Sequence, residues 1–275
     1  MTDRYAVVGN PIAHSRSPEI HAAFARETGQ DMRYSKLLAP LDGFRSTIES
    51  FRAAGGKGVN VTVPFKLEAF ELAGELSQHA RDAGAANFLR FDNGCIHADN
   101  TDGIGLTRDI AHNLGFGLTG KRVLLMGAGG AAQGVLAPLL EYGPLMLTIA
   151  NRTVDKALHL AERFRHRPAA ASSVLCGLGF GELAGHHFDL IINATSTSLN
   201  GELAPLPADA FAAGALAYDM MYGKTPTPFL AFAAAHGAKT SDGLGMLVEQ
   251  AAESFLLWRG VRPETAPVLA LLRNS

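Results

Sequence analysis

The sequence predicts an α/β protein of two domains, the second of them a Rossmann-type, doubly wound unit. Three observations lead there. Short apolar runs of strand length alternate with helical segments along the chain, the pattern of largely parallel sheets covered by helices. With 275 residues, 47% of them hydrophobic, the chain can build two ordinary cores. Between residues 122 and 142 a strand, a glycine-rich turn and a helix follow one another directly.

In order, residues 5–9 (YAVVG) read as a strand and 17–28 as a helix, with Ser17 as N-cap and Pro18 at the first helical position. A strand is expected at 34–39, a helix at 44–54, a strand at 58–63 (GVNVTV) and a helix over 64–72. Residues 87–91 and 95–98 flank Asp92-Asn93-Gly94, a hairpin signal. A helix follows at 104–114. The second half begins near Lys121, with strands at 122–126, 145–150, 190–194 and 216–220. Its helices are expected at 131–142 and from Val154, where Thr153 is a candidate cap, and near 229–236. Helices at 246–258 and 265–272 close the chain. A ligand cleft is expected between the two domains.

Composition narrows the function. A net charge of −2 with only 18% charged residues gives no footprint for a nucleic-acid partner. No apolar run approaches the roughly 18 residues of a membrane span, and no basic-then-apolar leader is present. A cytoplasmic protein is expected, with Cys95 and Cys176 as buried thiols in a reducing compartment. The histidines are scattered, and the adjacent His186-His187 lacks helical ligand spacing, so no metal centre is expected. The basic run 163–167 (RFRHR) reads as the solvated end of a helix.

The glycine-rich turn carries the first chemistry. Gly127, Ala128, Gly129, Gly130, Ala131 and Ala132 spell G-x-G-x-x-A between a strand and a helix. Such glycines let bare backbone N–H groups approach a pyrophosphate, and the helix N-terminus favours the anion. An NAD site usually places an acid about 20 residues further on, at the ribose 2′-hydroxyl. Here Arg152 follows the next strand instead, and its planar guanidinium suits a 2′-phosphate, so NADP(H) is expected.

Four polar clusters sit at strand or loop ends, where α/β sheets bind ligands. They are residues 10–18 (NPIAHSRSP), 60–66 (NVTVPFK), 84–87 with 100–103 (GAAN and NTDG), and 243–251 (GLGMLVEQA). Lys66 stands at a predicted helix N-terminus, where a cation is electrostatically unfavourable, which marks it as a functional candidate. Taken singly, Ser15, Ser17, Thr62, Asp102 and Gln250 each have an ordinary turn, cap, strand or surface role. Together these hydroxyls, amides, one ammonium and one carboxylate match a small polyhydroxylated acid.

The chain resembles the shikimate dehydrogenases, the NADP-dependent oxidoreductases of the aromatic-amino-acid pathway, nearly end to end. The motifs are Ser15-Arg16-Ser17-Pro18, residues 60–66, Asn100-Thr101-Asp102-Gly103, Gly127 to Ala131, Asn151-Arg152-Thr153, Asn193-Ala194-Thr195-Ser196, residues 218–222 (YDMMY) and 243–250. The resemblance implies a substrate-binding and catalytic domain from residues 1–103 and 241–275, with a C-terminal helix returning to it. An NADP-binding domain would occupy 104–240. It implies reversible reduction of 3-dehydroshikimate to shikimate with NADPH. By the same resemblance Ser15 and Ser17 hold the substrate carboxylate, and Thr62, Asn87, Asp102 and Gln250 its hydroxyls, with Lys66 beside them and Tyr222 also in reach. Gly127, Ala128, Gly129, Gly130 and Ala131 form the pyrophosphate loop. Asn151, Arg152, Thr153, Val154, Asp155 and Lys156 form the adenosine-phosphate segment, and Thr195, Met220 and Gly243 contact the nicotinamide side. Lys66 and Asp102 are the expected catalytic pair.

The chain departs from the family at Phe88, where Thr or Ser is frequent, and at Ser198-Leu199, where Gly-Met is frequent. Three alternatives stay open. One is a quinate/shikimate dehydrogenase or a paralogue acting on a related hydroxy acid. Another is a non-catalytic ligand-sensing module. The third is a different NADP enzyme such as a folate dehydrogenase, whose pterin would need an aromatic slot. The expected partners are small molecules only, with the chain a monomer or homodimer.

Overall fold

The computed structural model describes residues 2–92, 94–195, 197 and 201–274. It divides into two compact units, Met1–Gly105 with Leu247–Ser275, and Leu106–Met246. Among the described residues no helix is long and apolar enough to cross a membrane.

The first unit is built on strands β1 (Asp3–Gly9), β2 (Met32–Leu38), β3 (Gly56–Val61), β4 (Glu75–Leu76), β5 (Phe88–Asp92) and β6 (Cys95–Asp99), in the order β2-β1-β3-β5-β6-β4. The sheet is mixed: β1, β2 and β3 pair in parallel, as the alternation of elements suggests, and the expected hairpin gives an antiparallel β5–β6 pair. β5 runs antiparallel to both β3 and β6. The reason is local: a short turn containing Gly94 at φ 86° joins β5 to β6, and only antiparallel strands close that way. Helices α1 (Ser17–Thr28), α2 (Phe44–Ala53), α3 (Lys66–Leu72) and α4 (Gln78–Ala83) connect the strands. The core packs Phe44, Ile48 and Phe51 of α2 with Phe65, Val59 and Leu89. Ser17 is the first helical residue rather than the cap. Arg16 takes the cap position, without a side-chain cap hydrogen bond.

Helix α5 (Asp102–Arg108) runs on into a π-helical turn, Asp109–Asn113. The second unit then carries β7 (Arg122–Met126), α6 (Gly130–Glu141), β8 (Met146–Asn151), α7 (Val154–Arg165), β9 (Val174–Gly179), β10 (Phe188–Asn193), β11 (Phe211–Asp219), α8 (Pro228–Ala235) and β12 (Lys239–Ser241). Its sheet is parallel, in the order β12-β11-β10-β7-β8-β9. This is the doubly wound arrangement, with its switch point between β7 and β10. Two strands of this unit escape the sequence patterns. β9 (VLCGLG) carries glycines that packing demands, since a Cβ on Gly177 would lie 2.5 Å from the Ala157 backbone of α7. β12 is only three residues long. Because β12 pairs with β11, the second unit extends to Met246 and not to residue 240.

The chain then forms α9 (Leu244–Arg259) and α10 (Ala266–Arg273), which complete the first unit. Trp258 on α9 donates its indole N–H to Leu89 O at 3.2 Å and leaves Gly58 no room for a Cβ, which would lie 2.3 Å from Nε1. Arg259 pairs with Asp3, and Arg262 with Glu249 and Glu253. Around Trp258 gather Tyr5, Phe88, Tyr34 and His21.

His21 is fully buried and stacks on Tyr34, with ring centroids 4.1 Å apart. Neither ring nitrogen has a partner at hydrogen-bonding geometry. Burial pushes its pKa down to about 3, an effect only partly offset by the Asn60 amide nearby. The folded protein therefore holds His21 neutral while the unfolded chain takes up a proton below about pH 6.5. Protonation of the unfolded state alone lowers stability as pH falls from there toward about 3, by about 1.4 kcal/mol per pH unit. Urea unfolding of the wild type and of His21→Phe across pH 7 to 4.5 checks this. The stability difference between the two should change with about that slope, and parallel curves would refute it.

Candidate active site

The first unit assembles the polar residues of three loops on one spot. Lys66 is the first residue of α3, so its ammonium faces an unfavourable helix dipole unless something compensates. Asp102, first residue of α5, does so: Lys66 Nζ donates to Asp102 Oδ2 at 2.5 Å. The acid is itself favoured at a helix N-terminus. Its other oxygen accepts from Asn87 Nδ2 at 2.8 Å, so both carboxylate oxygens are held. Both side chains stay accessible, at 32% for Lys66 and 19% for Asp102. An ammonium has three donors, and the ion pair takes one, leaving capacity for a substrate oxygen.

Asn87 is almost fully buried. Its Oδ1 accepts from the Thr101 N–H at 2.8 Å, and its Nδ2 lies 3.4 Å from Gln250 Oε1 on α9. Thr101 Oγ1 donates to Gln250 O at 3.2 Å. Beneath this lies a layer the sequence reading left unassigned. Asn60 Nδ2 donates to Ser254 Oγ at 2.8 Å, and Asn60 Oδ1 accepts from the Tyr34 hydroxyl at 2.7 Å. Burial raises the Tyr34 pKa well above its usual value, so the phenol remains a neutral donor. Ser17 lies against the same phenol, and Ser15 Oγ donates to Ser17 Oγ at 3.2 Å. Thus Ser15, Ser17, Asn87, Asp102, Lys66 and Gln250 share one hydrogen-bonded set. Thr62 is half-buried at the end of β3, its methyl occupying the space a Cβ on Gly9 would need.

The second unit builds the other half of the chemistry. Gly127 has φ 108°, a conformation suited to glycine, and donates its N–H to Ala150 O at 2.7 Å. A Cβ there would also press on Ala194 O at 3.1 Å. Gly129 and Gly130 are different: a Cβ on either would meet no atom within 4 Å. Their lack of side chains keeps open the space above the N-terminus of α6, whose first N–H groups have no intrahelical partner. That open cradle fits a pyrophosphate. Asn151 Nδ2 donates to Thr153 O at 2.9 Å, bracing the turn after β8. Thr153 occupies the cap position of α7, but its side chain makes no cap hydrogen bond. Arg152, Val154, Asp155 and Lys156 are exposed, and Arg152 has no ion pair with any described residue.

A cavity of about 430 Å³ opens beside the glycine loop, lined by Ala128, Gly129, Gln133, Lys156, His159, Leu160 and Arg163. The sequence reading missed Gln133 and His159 and took Arg163 for part of a solvated helix end. Arg163 is exposed in the last turn of α7, as expected for a solvated helix end, and it also lines this cavity and donates to Gln133 Oε1 at 3.3 Å, while Phe164 of the same run is buried in the core. The signal was present: positions 156, 159, 160 and 163 follow helical i, i+3, i+4, i+7 spacing. At the ends of β10 and β11, Asn193 Oδ1 accepts from Thr195 Oγ1 at 2.7 Å, and Asn193 Nδ2 donates to Asp219 Oδ2 at 3.1 Å. Met220 N donates to Asn193 O at 3.1 Å, and a Cβ on Gly243 would lie 2.3 Å from Met220 O. Tyr222 is 41% exposed. Ser196, Ser198 and Leu199 lie outside the described residues.

Comparison with known proteins agrees across the chain. Family models match at residues 7–89 (shikimate dehydrogenase substrate binding domain), 109–200 (shikimate/quinate 5-dehydrogenase) and 243–273 (shikimate 5′-dehydrogenase C-terminal domain). The NADP(+) shikimate dehydrogenase of Methylobacillus flagellatus is 61% identical, over 99% of this chain and 100% of its own length. Among solved structures, an Ael1 enzyme from Pseudomonas putida superposes with a TM-score of 0.94 at 50% identity, covering 98% of both chains. Shikimate 5-dehydrogenase from Thermus thermophilus, in complex with NADP(H) and shikimate, gives a TM-score of 0.86 at 32% identity, covering 99% of both chains. The chain belongs to the shikimate dehydrogenase family.

Proposed function

We propose that this chain is a cytoplasmic oxidoreductase that reversibly reduces 3-dehydroshikimate to shikimate with NADPH. The observation that carries the reading is the accessible Lys66–Asp102 pair, anchored by Asn87 within one polar set. The first unit is the substrate domain and the second the NADP domain. Ser15 and Ser17 bind the carboxylate; Thr62, Asn87, Asp102 and Gln250 bind hydroxyls, with Lys66 beside them and Tyr222 also in reach of the substrate. Gly127 to Ala131 hold the pyrophosphate, Asn151 to Lys156 the adenosine phosphate, and Thr195, Met220 and Gly243 flank the nicotinamide.

Bound NADPH supplies a hydride to the carbonyl carbon. The chain's own groups manage the oxygen. As the C=O π pair moves onto that oxygen, Lys66 donates a hydrogen bond and then its proton, giving the alcohol and a neutral amine. Asp102 holds the amine in place and accepts from a neighbouring hydroxyl. In the oxidation direction Lys66 takes the hydroxyl proton back; the overall oxidation releases one proton, so alkaline pH favours that direction.

Turnover of shikimate and quinate with NADP and with NAD, followed by the absorbance of the reduced cofactor, tests the reading. Efficient turnover with shikimate and NADP is expected, and no turnover of either acid would end it. Arg152→Ala should raise KM for NADP about 10–100-fold, the loss of a charge-assisted contact to phosphate, and leave KM for NAD nearly unchanged. Equal losses for both cofactors would remove Arg152 from 2′-phosphate recognition.

A further inference from the structure

We propose that Glu75, Cys95 and His97 form a binding site for one divalent cation of the zinc type, apart from the residues assigned to the reaction. Backbone register brings the three together. Cys95 and His97 are two apart on β6, so their side chains leave the same face of the strand. β4 pairs with β6 so that Glu75 is opposite His97. As a result Sγ of Cys95, a ring nitrogen of His97 and a carboxylate oxygen of Glu75 all lie within 4.8 Å of one another. His97 Nδ1 and Glu75 Oε2 are already 2.9 Å apart.

The surroundings favour a ligand over a bare ion pair. The β4 segment is clamped by Gly74 N–H to Ile96 O at 3.0 Å and Ser77 N–H to Ala98 O at 2.9 Å. Gly74 sits against the sulfur: a Cβ there would lie 3.1 Å from Cys95 Sγ. A cavity of about 250 Å³ borders Glu75 and His97 and is lined also by Ser77, Arg90 and Asp99. It offers room for a water or small anion in a fourth coordination position, as three-ligand zinc sites require. An ion pair of His97 with Glu75 would need no thiol beside it.

The donor set selects the ion. Thiolate, imidazole and carboxylate together suit a borderline-soft cation, whereas magnesium and calcium take oxygen donors. Zinc bonds are about 2.0–2.3 Å long, so small rotations of the side chains complete the site. Glu75, with a side chain 66% exposed, is free to make its share. Binding requires Cys95 as thiolate and His97 neutral, so it releases protons and weakens as pH falls.

Cobalt(II) titration of the full-length reduced protein, in a non-chelating buffer, reports the ligands directly. The expected result is a saturable thiolate-to-cobalt charge-transfer band with tetrahedral visible absorption, reached at one equivalent and abolished by zinc. Cys95→Ser should remove the charge-transfer band and weaken binding at least about 10-fold, and His97→Gln and Glu75→Gln should each weaken it. Cys176→Ser should leave the titration unchanged. Retained turnover in each variant shows that it has folded. No charge-transfer band in the wild type, or a band that survives in Cys95→Ser, would overturn the proposal.

Discussion

Lys66→Ala is expected to lower kcat at least about 100-fold while changing KM only a few-fold. The large effect falls on kcat because in the proposed reaction the ammonium would act where charge develops, on an oxygen that is neutral in the bound ketone and anionic in the transition state. In the same proposal binding is spread over the hydroxyl and amide groups that surround the pair, so KM should move little. The variant should fold, since the lysine side chain is about a third exposed at 32% and its partner Asp102 keeps Asn87. Asp102→Asn separates the two roles. It keeps an acceptor for the Asn87 amide but loses the anion that holds the ammonium, so it should lower kcat less than Lys66→Ala and raise KM more. Steady-state kinetics with shikimate and NADP checks both. A near-wild-type kcat in Lys66→Ala would take the ammonium out of the chemistry.

Features encoded within a few consecutive residues were legible in the sequence. The glycine turn between β7 and α6 announces itself because strand, turn and helix are contiguous. Lys66 is visible because it breaks a local electrostatic preference. What escaped depends on residues distant along the chain. Asn60 meets Ser254 only because α9 returns to the first unit, and no spacing rule connects them. β9 was hidden because Gly177, needed for contact with α7, dilutes the apolar strand pattern. Arg163 is solvated as the basic run suggests, but that it also lines the cavity beside the glycine loop depends on the face of α7 it occupies. Cys95 and Cys176, expected to be buried, are both half-buried, since each lies on a strand whose side chains alternate between covered and open faces. Ser17 and Thr153 have the right residue types for caps, yet neither side chain makes the bond. Ser17 instead lies against the Tyr34 phenol.

Gly245→Ala should destabilise the protein by about 2–4 kcal/mol and lower its Tm by roughly 5–10 °C. In most helices this exchange helps, by up to about 1 kcal/mol, because alanine is the better helix former. Here the new Cβ would lie 1.9 Å from Asp109 Oδ1 and 2.3 Å from Oδ2. The carboxylate cannot step aside cheaply. Asp109 is 1% exposed, its Oδ2 accepts from the Tyr218 hydroxyl at 2.7 Å, and its Oδ1 accepts from Asn113 Nδ2 at 2.9 Å. Tyr218 is fully buried, its pKa raised by burial and by Asp109, and its oxygen in turn accepts from Met246 N–H at 3.3 Å. Moving the acid therefore strands buried polar groups as well as straining the first turn of α9, and these two costs outweigh the gain in helix propensity. Asp109→Ala provides the control. It is destabilising by itself, because it leaves the Tyr218 O–H without its Asp109 acceptor, but it removes the obstruction, so adding Gly245→Ala to it should cost less than about 1 kcal/mol. Thermal and urea unfolding of the two single variants and the double variant measure that coupling. If Gly245→Ala costs the same in both backgrounds, the carboxylate is not what requires glycine at this position.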